Sequence, residues 1–246
     1  MRNLTGKSAF KGLKLGNFRP VGTPRSERTR PNTMQHITRK LSLLTLACGL
    51  FTGLGAQSFE GVIDFTKSTG PVVTTYRYFV KGEHVRIEEI SARGEVQGIM
   101  LVDTRDRTVT ALSPDRKLYM DVPNMRLPKD VETTTEKSGE MKDLAGYKCE
   151  KWTVKSPKED RVITYWVAAD EFNFFIPLLE TLNRKDEQAV FFLEIEGAKG
   201  VFPMLGVENK MDGAEVSRLE VTKVVKGAQK PALFEIPAGF NKFERN

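Results

Sequence analysis

The side chains that could carry out chemistry in this sequence are few and widely spaced. Of its two histidines, His36 stands in a basic N-terminal stretch and His84 lies beside Glu83, next to the turn Lys81-Gly82. Catalysis of the Ser-His-Asp or Cys-His kind needs a buried, oriented imidazole, and a position at such a turn supplies a solvated one. Cys48 and Cys149 cannot build a zinc site, which takes several His or Cys ligands at short spacing. The sequence has no phosphate-cradling glycine loop between strand and helix and no dinucleotide fingerprint. Asp103-Thr-Arg-Asp106 and Lys210-Met-Asp-Gly213 are too sparse in acids, and too basic, for a calcium loop. Glu88 and Glu89 are successive strand positions and point to opposite faces, so they are not a paired acid and base. The expectation is a protein that is not an enzyme, with no cofactor and no metal.

Apolar surface is the richer resource. Tyr78, Met100, Met120 and Trp152 fall on expected strands, and Phe174, Phe175, Leu178 and Leu182 fall on an expected helix. Together they are candidates to line a hydrophobic cavity or to form its lid. Met suits a variable apolar guest because it is flexible and polarizable. The alternative for each is plain core packing, since parity along a strand does not say which side is inward. For residues 172–182 the two readings are a mobile lid, more apolar than a surface helix should be, or a helix packed permanently on the sheet.

The elements that would position these residues are mostly strands. Alternation predicts strands over 59–65, 74–80, 84–90, 98–103, 108–112, 117–121, 147–154, 161–168, 201–211 and 215–225, with a closing strand over 234–240. Residues 74–80 and 84–90 flank Gly82 and form a hairpin. The polar stretch 129–143 reads as a loop. Phe174, Leu178 and Leu182 recur at helical spacing, with Asn173 as N-cap and Pro177 confined to the first turn. A second short helix is expected over 187–196, closed by Gly197. The fold class is α+β, mainly β: a curved antiparallel sheet or incomplete barrel with one or two helices on its concave face.

Charge divides the chain. Residues 1–57 hold ten Lys and Arg against the single acid Glu27, a local balance of +9. The rest carries 28 basic and 31 acidic side chains, a balance of −3, so the folded part has no nucleic-acid footprint. Arg39-Lys40 precedes an uncharged run, Leu41 to Ala56, that ends in small residues, which is the pattern of a secretory signal. That run is about 16 residues, short of the ~20 that cross a bilayer; a retained anchor is the competing reading. The expected organisation is a disordered extension over 1–33, a signal peptide over 34–57 with translation starting at Met34, and one mature domain over 58–246 with no transmembrane helix. A genuine targeting extension is the alternative for 1–33. Cleavage before Cys48 with lipidation is a further alternative, weakened by Thr45 standing where a Leu is wanted. Cys149 is then a lone thiol, read as a small buried hydrophobe.

In order along the chain come Lys81-Gly-Glu-His-Val-Arg-Ile-Glu88, Met100-Leu-Val-Asp103, Ser113-Pro-Asp-Arg-Lys-Leu-Tyr-Met120, Leu144-Ala-Gly-Tyr-Lys-Cys-Glu-Lys-Trp152, Gly200-Val-Phe-Pro203 and the terminal Phe234-x-Ile-Pro-x-Gly-Phe240. In that order these segments resemble a secreted bacterial domain-of-unknown-function family, number forty-four twelve. The family is similar in turn to periplasmic lipoprotein carriers and outer-membrane lipoprotein receptors of the LolA and LolB type. The resemblance implies an incomplete antiparallel barrel around helices, with an apolar cavity able to shelter acyl chains. Two functions follow as expectations: an exported periplasmic or outer-membrane-peripheral carrier of a lipid or a lipoprotein's acyl chains, or an envelope protein that docks another protein through its sheet face or lid helix.

Overall fold

A computed structural model describes residues 58–123, 131–183 and 186–244. The expected extension, signal peptide and Cys48 lie outside the described residues. Alternating burial along each strand builds most of the fold. β1 (Gly61–Thr69), β2 (Val72–Lys81), β3 (His84–Ile90), β4 (Val96–Asp103), β5 (Thr108–Ser113) and β6 (Leu118–Asp121) form a meander of antiparallel hairpins. Gly82 takes φ 57° in the β2–β3 turn, a left-handed conformation that favours glycine. Asp103 closes the β4–β5 turn by accepting the Arg105 and Asp106 backbone N–H groups at 2.9 and 3.0 Å.

β7 (Thr134–Leu144), β8 (Tyr147–Ser156) and β9 (Arg161–Ala169) follow, then α1 (Phe175–Leu182), α2 (Glu187–Leu193), β10 (Val201–Asn209) and β11 (Glu215–Lys226). β7 corrects the sequence expectation, because most of the polar stretch read as a loop is strand. It is exposed on both faces and pairs with β8 alone, so no apolar alternation marks it. A register shift between Lys137 and Met141, around Gly139, and a run of charges blunt it as an open edge. The chain end is a second correction. A 3₁₀ helix (Pro231–Phe234) and turns occupy the expected strand, and only β12 (Asn241–Lys242) is extended; Pro231 and Pro237 withhold the N–H groups a ladder needs.

The twelve strands of the described residues form one sheet in the order β12-β6-β5-β4-β3-β2-β1-β11-β10-β9-β8-β7. Neighbours are antiparallel except the parallel pair β12–β6. Its two ends, β12 and β7, do not pair, so the sheet is open and is not a closed barrel. Residues directly opposite in antiparallel strands share a face. One row therefore carries Ile63, Tyr78, Ile87, Met100, Ala111 and Met120 across the inner face, and the adjacent row carries Asp64, Arg77, Glu88, Ile99, Leu112 and Tyr119 across the outer face.

α1 and α2 pack on the inner face and form the main core, with Phe172, Phe174, Phe175 and Phe202 at its centre (Phe175–Phe202 ring centroids 4.5 Å). The N-cap of α1 is Phe174 rather than the expected Asn173, whose amide instead donates to Glu171. Pro177 does sit in the first turn of the helix. α2 ends at Leu193, earlier than expected. The outer face carries a smaller cluster of Ile99, Leu101 and Leu112, covered by Phe240. The segment after β11 reaches that face held by Lys81, which donates to the Gln229 carbonyl at 2.8 Å, and by Arg86, which donates to the Leu233 carbonyl at 3.1 Å.

Candidate functional site

Between the inner face and the two helices lies a cavity of about 60 Å³. Phe65, Ile87, Phe175, Leu179, Leu182, Phe192 and Leu219 give it an apolar body. Its aromatic walls are braced edge to face, with Phe65 4.7 Å from Tyr78 and Tyr165 5.2 Å from Phe192, centroid to centroid. A water molecule occupies about 30 Å³ and sites for drug-sized ligands run to ~300–1,000 Å³. An acyl chain therefore enters only if a helix or its side chains move outward.

The polar lining gathers around the start of α2. Asp186 caps the helix by accepting the Ala189 N–H at 3.1 Å, and it also pairs with Lys67 of β1 at 3.0 Å. Gln188 donates to Ser217 Oγ at 2.7 Å, Ser217 donates to Glu208 at 2.6 Å, and Glu208 accepts from Arg161 Nε at 2.8 Å. The Tyr165 hydroxyl donates to the Gln188 carbonyl at 2.6 Å, and burial pushes this phenol well above its usual pKa, keeping it a neutral donor. Gly206 makes room for the network: a Cβ there would stand 2.6 Å from Gln188 Oε1. Buried polar groups are costly unless bonded, and this chain of bonds satisfies them while fixing α2 to β9, β10 and β11.

Of the eight residues singled out in the sequence, Tyr78, Phe175 and Leu182 line the cavity. Met100 shares the inner row of Tyr78 and packs against the main core, whereas Met120 lies two strands further along that row, half-buried. Trp152 is buried opposite Tyr165 with the Lys137 ammonium 4.1 Å above its ring, away from the cavity. Phe174 and Leu178 are buried in the core behind the lining. Sequence reasoning missed Lys67, Asp186 and Gln188. The one signal available was Asp186 immediately before Glu187-Gln-Ala-Val, an N-cap pattern.

His84 is half exposed and pairs with Asp103 at 3.3 Å. Cys149 is buried, and burial pushes its thiol up to about 11, which leaves little thiolate near neutrality. Among the described residues no group of three or more His, Cys, Asp or Glu is placed to hold a metal ion, and no helix is long and apolar enough to cross a membrane.

An open twelve-stranded sheet with two helices on its inner face, and a small apolar cavity beneath them, defines the class of protein. The chain belongs to the family described as Domain of unknown function (DUF4412), which matches residues 59–240. No curated protein matches the sequence. Solved structures similar in fold include an uncharacterized conserved protein from Thermus thermophilus, at 11% identity and TM-score 0.45, covering 76% of this chain and 91% of that one. A MucA/MucB complex of Pseudomonas aeruginosa matches at 14% identity and TM-score 0.39, covering 74% of this chain and 56% of that one. A putative outer membrane lipoprotein-sorting protein domain from Vibrio parahaemolyticus matches at 8% identity and TM-score 0.32, covering 70% and 88%.

Proposed function

We propose that this protein is an exported cell-envelope binder of a hydrophobic ligand, a lipid or the acyl chains of a lipoprotein, and that it catalyses no reaction. In this reading residues 34–57 direct export and residues 58–246 are the binding domain. The observation that carries the reading is the cavity. Its apolar body faces the helices, a few polar groups converge at one end, and α1 forms part of its wall through Phe175, Leu179 and Leu182. That combination of an apolar body and few oriented polar groups is the usual make-up of a small-molecule site. Its small volume is the resting state of a site that opens as α1 shifts outward.

The test is native mass spectrometry of the protein purified from envelope fractions, followed by lipid extraction. A lipid in near-stoichiometric amount is the expected result, and Leu182→Trp, which fills the cavity wall, is expected to lose most of it. A ligand-free chain from every fraction would remove the basis of the reading.

A further inference from the structure

The charged side chains lining the cavity are a matched pair. Among the described residues Lys67 and Asp186 are the charged members of its lining, and they stand 3.0 Å apart with side chains 23% and 31% exposed. The polar groups beside them are already committed: the Tyr165 hydroxyl to the Gln188 carbonyl, and the Gln188 amide to Ser217. Among the described lining residues a head group arriving at this end meets one cation and one anion that neutralise each other.

An anionic head, such as the carboxylate of a free fatty acid, would compete with Asp186 for Lys67 and be repelled by Asp186 at the same range. A cationic head would meet the mirror-image conflict with Lys67. Either leaves a partly desolvated charge short of a partner, which is costly. An ester or amide head adds hydrogen bonds without displacing the pair: its carbonyl accepts from the Lys67 ammonium, which has three donors and gives one to Asp186.

We propose that the cavity takes an acyl chain with an uncharged ester or amide head and discriminates against the free fatty acid. The inference rests on the hydrophobic-ligand reading and names the ligand class within it.

The probes are the fluorescent polyene cis-parinaric acid and its methyl ester, titrated into the full chain at about pH 8, where the acid is ionised. The ester is expected to bind at least about tenfold more tightly than the acid, as a desolvated unpaired charge demands. Asp186→Asn retains a good N-cap and frees Lys67. In that variant the acid should gain at least about tenfold while the ester moves by less than about threefold. Lys67→Met leaves Asp186 alone and should weaken the acid further. Displacement of the bound ester by a monoacylglycerol points to a free lipid as the natural source, and displacement by a diacylated lipopeptide points to a protein-borne chain; displacement by neither overturns the proposal. Tighter or equal binding of the acid to the unmodified protein, or an acid affinity unmoved by Asp186→Asn, also overturns it. Failure of both probes to bind any form overturns the binder reading itself, a pattern distinct from an acid-preferring site.

Discussion

The two helices on the inner face are alike in length but are held by different chemistry. α2 starts on Asp186, which caps the helix and pairs with Lys67, and Gln188 is bonded through Ser217 and Glu208 to Arg161. α1 starts on Phe174 without a side-chain cap and docks by burying Phe175, Leu178 and Leu179. Its ion pair to the sheet, Glu180 with Arg107 at 3.5 Å, is exposed and therefore weak. Directional bonds between buried groups fix one arrangement, whereas apolar contact is non-directional and follows buried area. In the proposed reading α2 is the fixed wall of the cavity and α1 the wall that shifts, a division that their similar apolar content conceals.

The strongest way to break this comparison is to remove apolar anchorage from α1. Phe175→Ala should cost about 3–5 kcal/mol in urea unfolding and widen the cavity, raising uptake of an apolar dye. A loss below about 1 kcal/mol would mean that α1 is not docked by its rings. Next comes the polar chain behind α2. Glu208→Leu leaves Ser217 and Arg161 without their acceptor and should cost about 2 kcal/mol. Hydrogen exchange should then rise in α2 while α1 keeps its protection, and equal loosening of both helices would erase the distinction. The smallest effect is one of pH. Burial raises Cys149 from its ordinary 9.0 to about 11 and Tyr147 from 10.0 to about 12, and it raises Tyr165 beneath α2 well above 10.0. The unfolded chain thus releases these protons first. Stability is full below about pH 9 and falls as pH rises toward about 12. Tyr165→Phe should flatten part of that slope in unfolding measured across this range, and an unchanged slope would place Tyr165 in contact with water.

Much of this architecture was legible in the residues. The β2–β3 hairpin, its continuation through β4, β5 and β6, and the helical spacing of Phe174, Leu178 and Leu182 follow from alternation and turn residues, which are local signals. β7 was not legible because an edge strand with both faces in water has no reason to alternate. The chain end was misread because its apolar residues serve the outer-face cluster through Phe240 rather than a ladder. Strand parity also does not say whether a sheet closes, so barrel and open sheet stayed undivided until the unpaired ends of β7 and β12 were placed. The apolar half of the cavity was partly visible in Tyr78, Phe175 and Leu182. Its polar half was not, because Lys67 lies beyond the expected end of the first strand at Phe65, and an Asp before a helix signals a cap and not a cavity. Only the contact between β1 and α2, remote in sequence, brings Lys67 to Asp186.

The position of β1 bears on how the chain acquires its shape. β1 sits between β2, its immediate successor, and β11, almost the last strand to be made. In a chain delivered N-terminus first, the β1–β6 meander can zip up early, hairpin by hairpin, while one edge of β1 waits for a partner at the far end of the sequence. Closing so long a loop adds little to the equilibrium cost, because loop entropy grows only logarithmically with length. The same closure is slow, because pairing between distant strands must be found by search. During that interval the waiting edge of Gly61–Thr69 is a template for any other extended chain. The period of greatest vulnerability for this protein is therefore the time between the emergence of β1 and the arrival of β11.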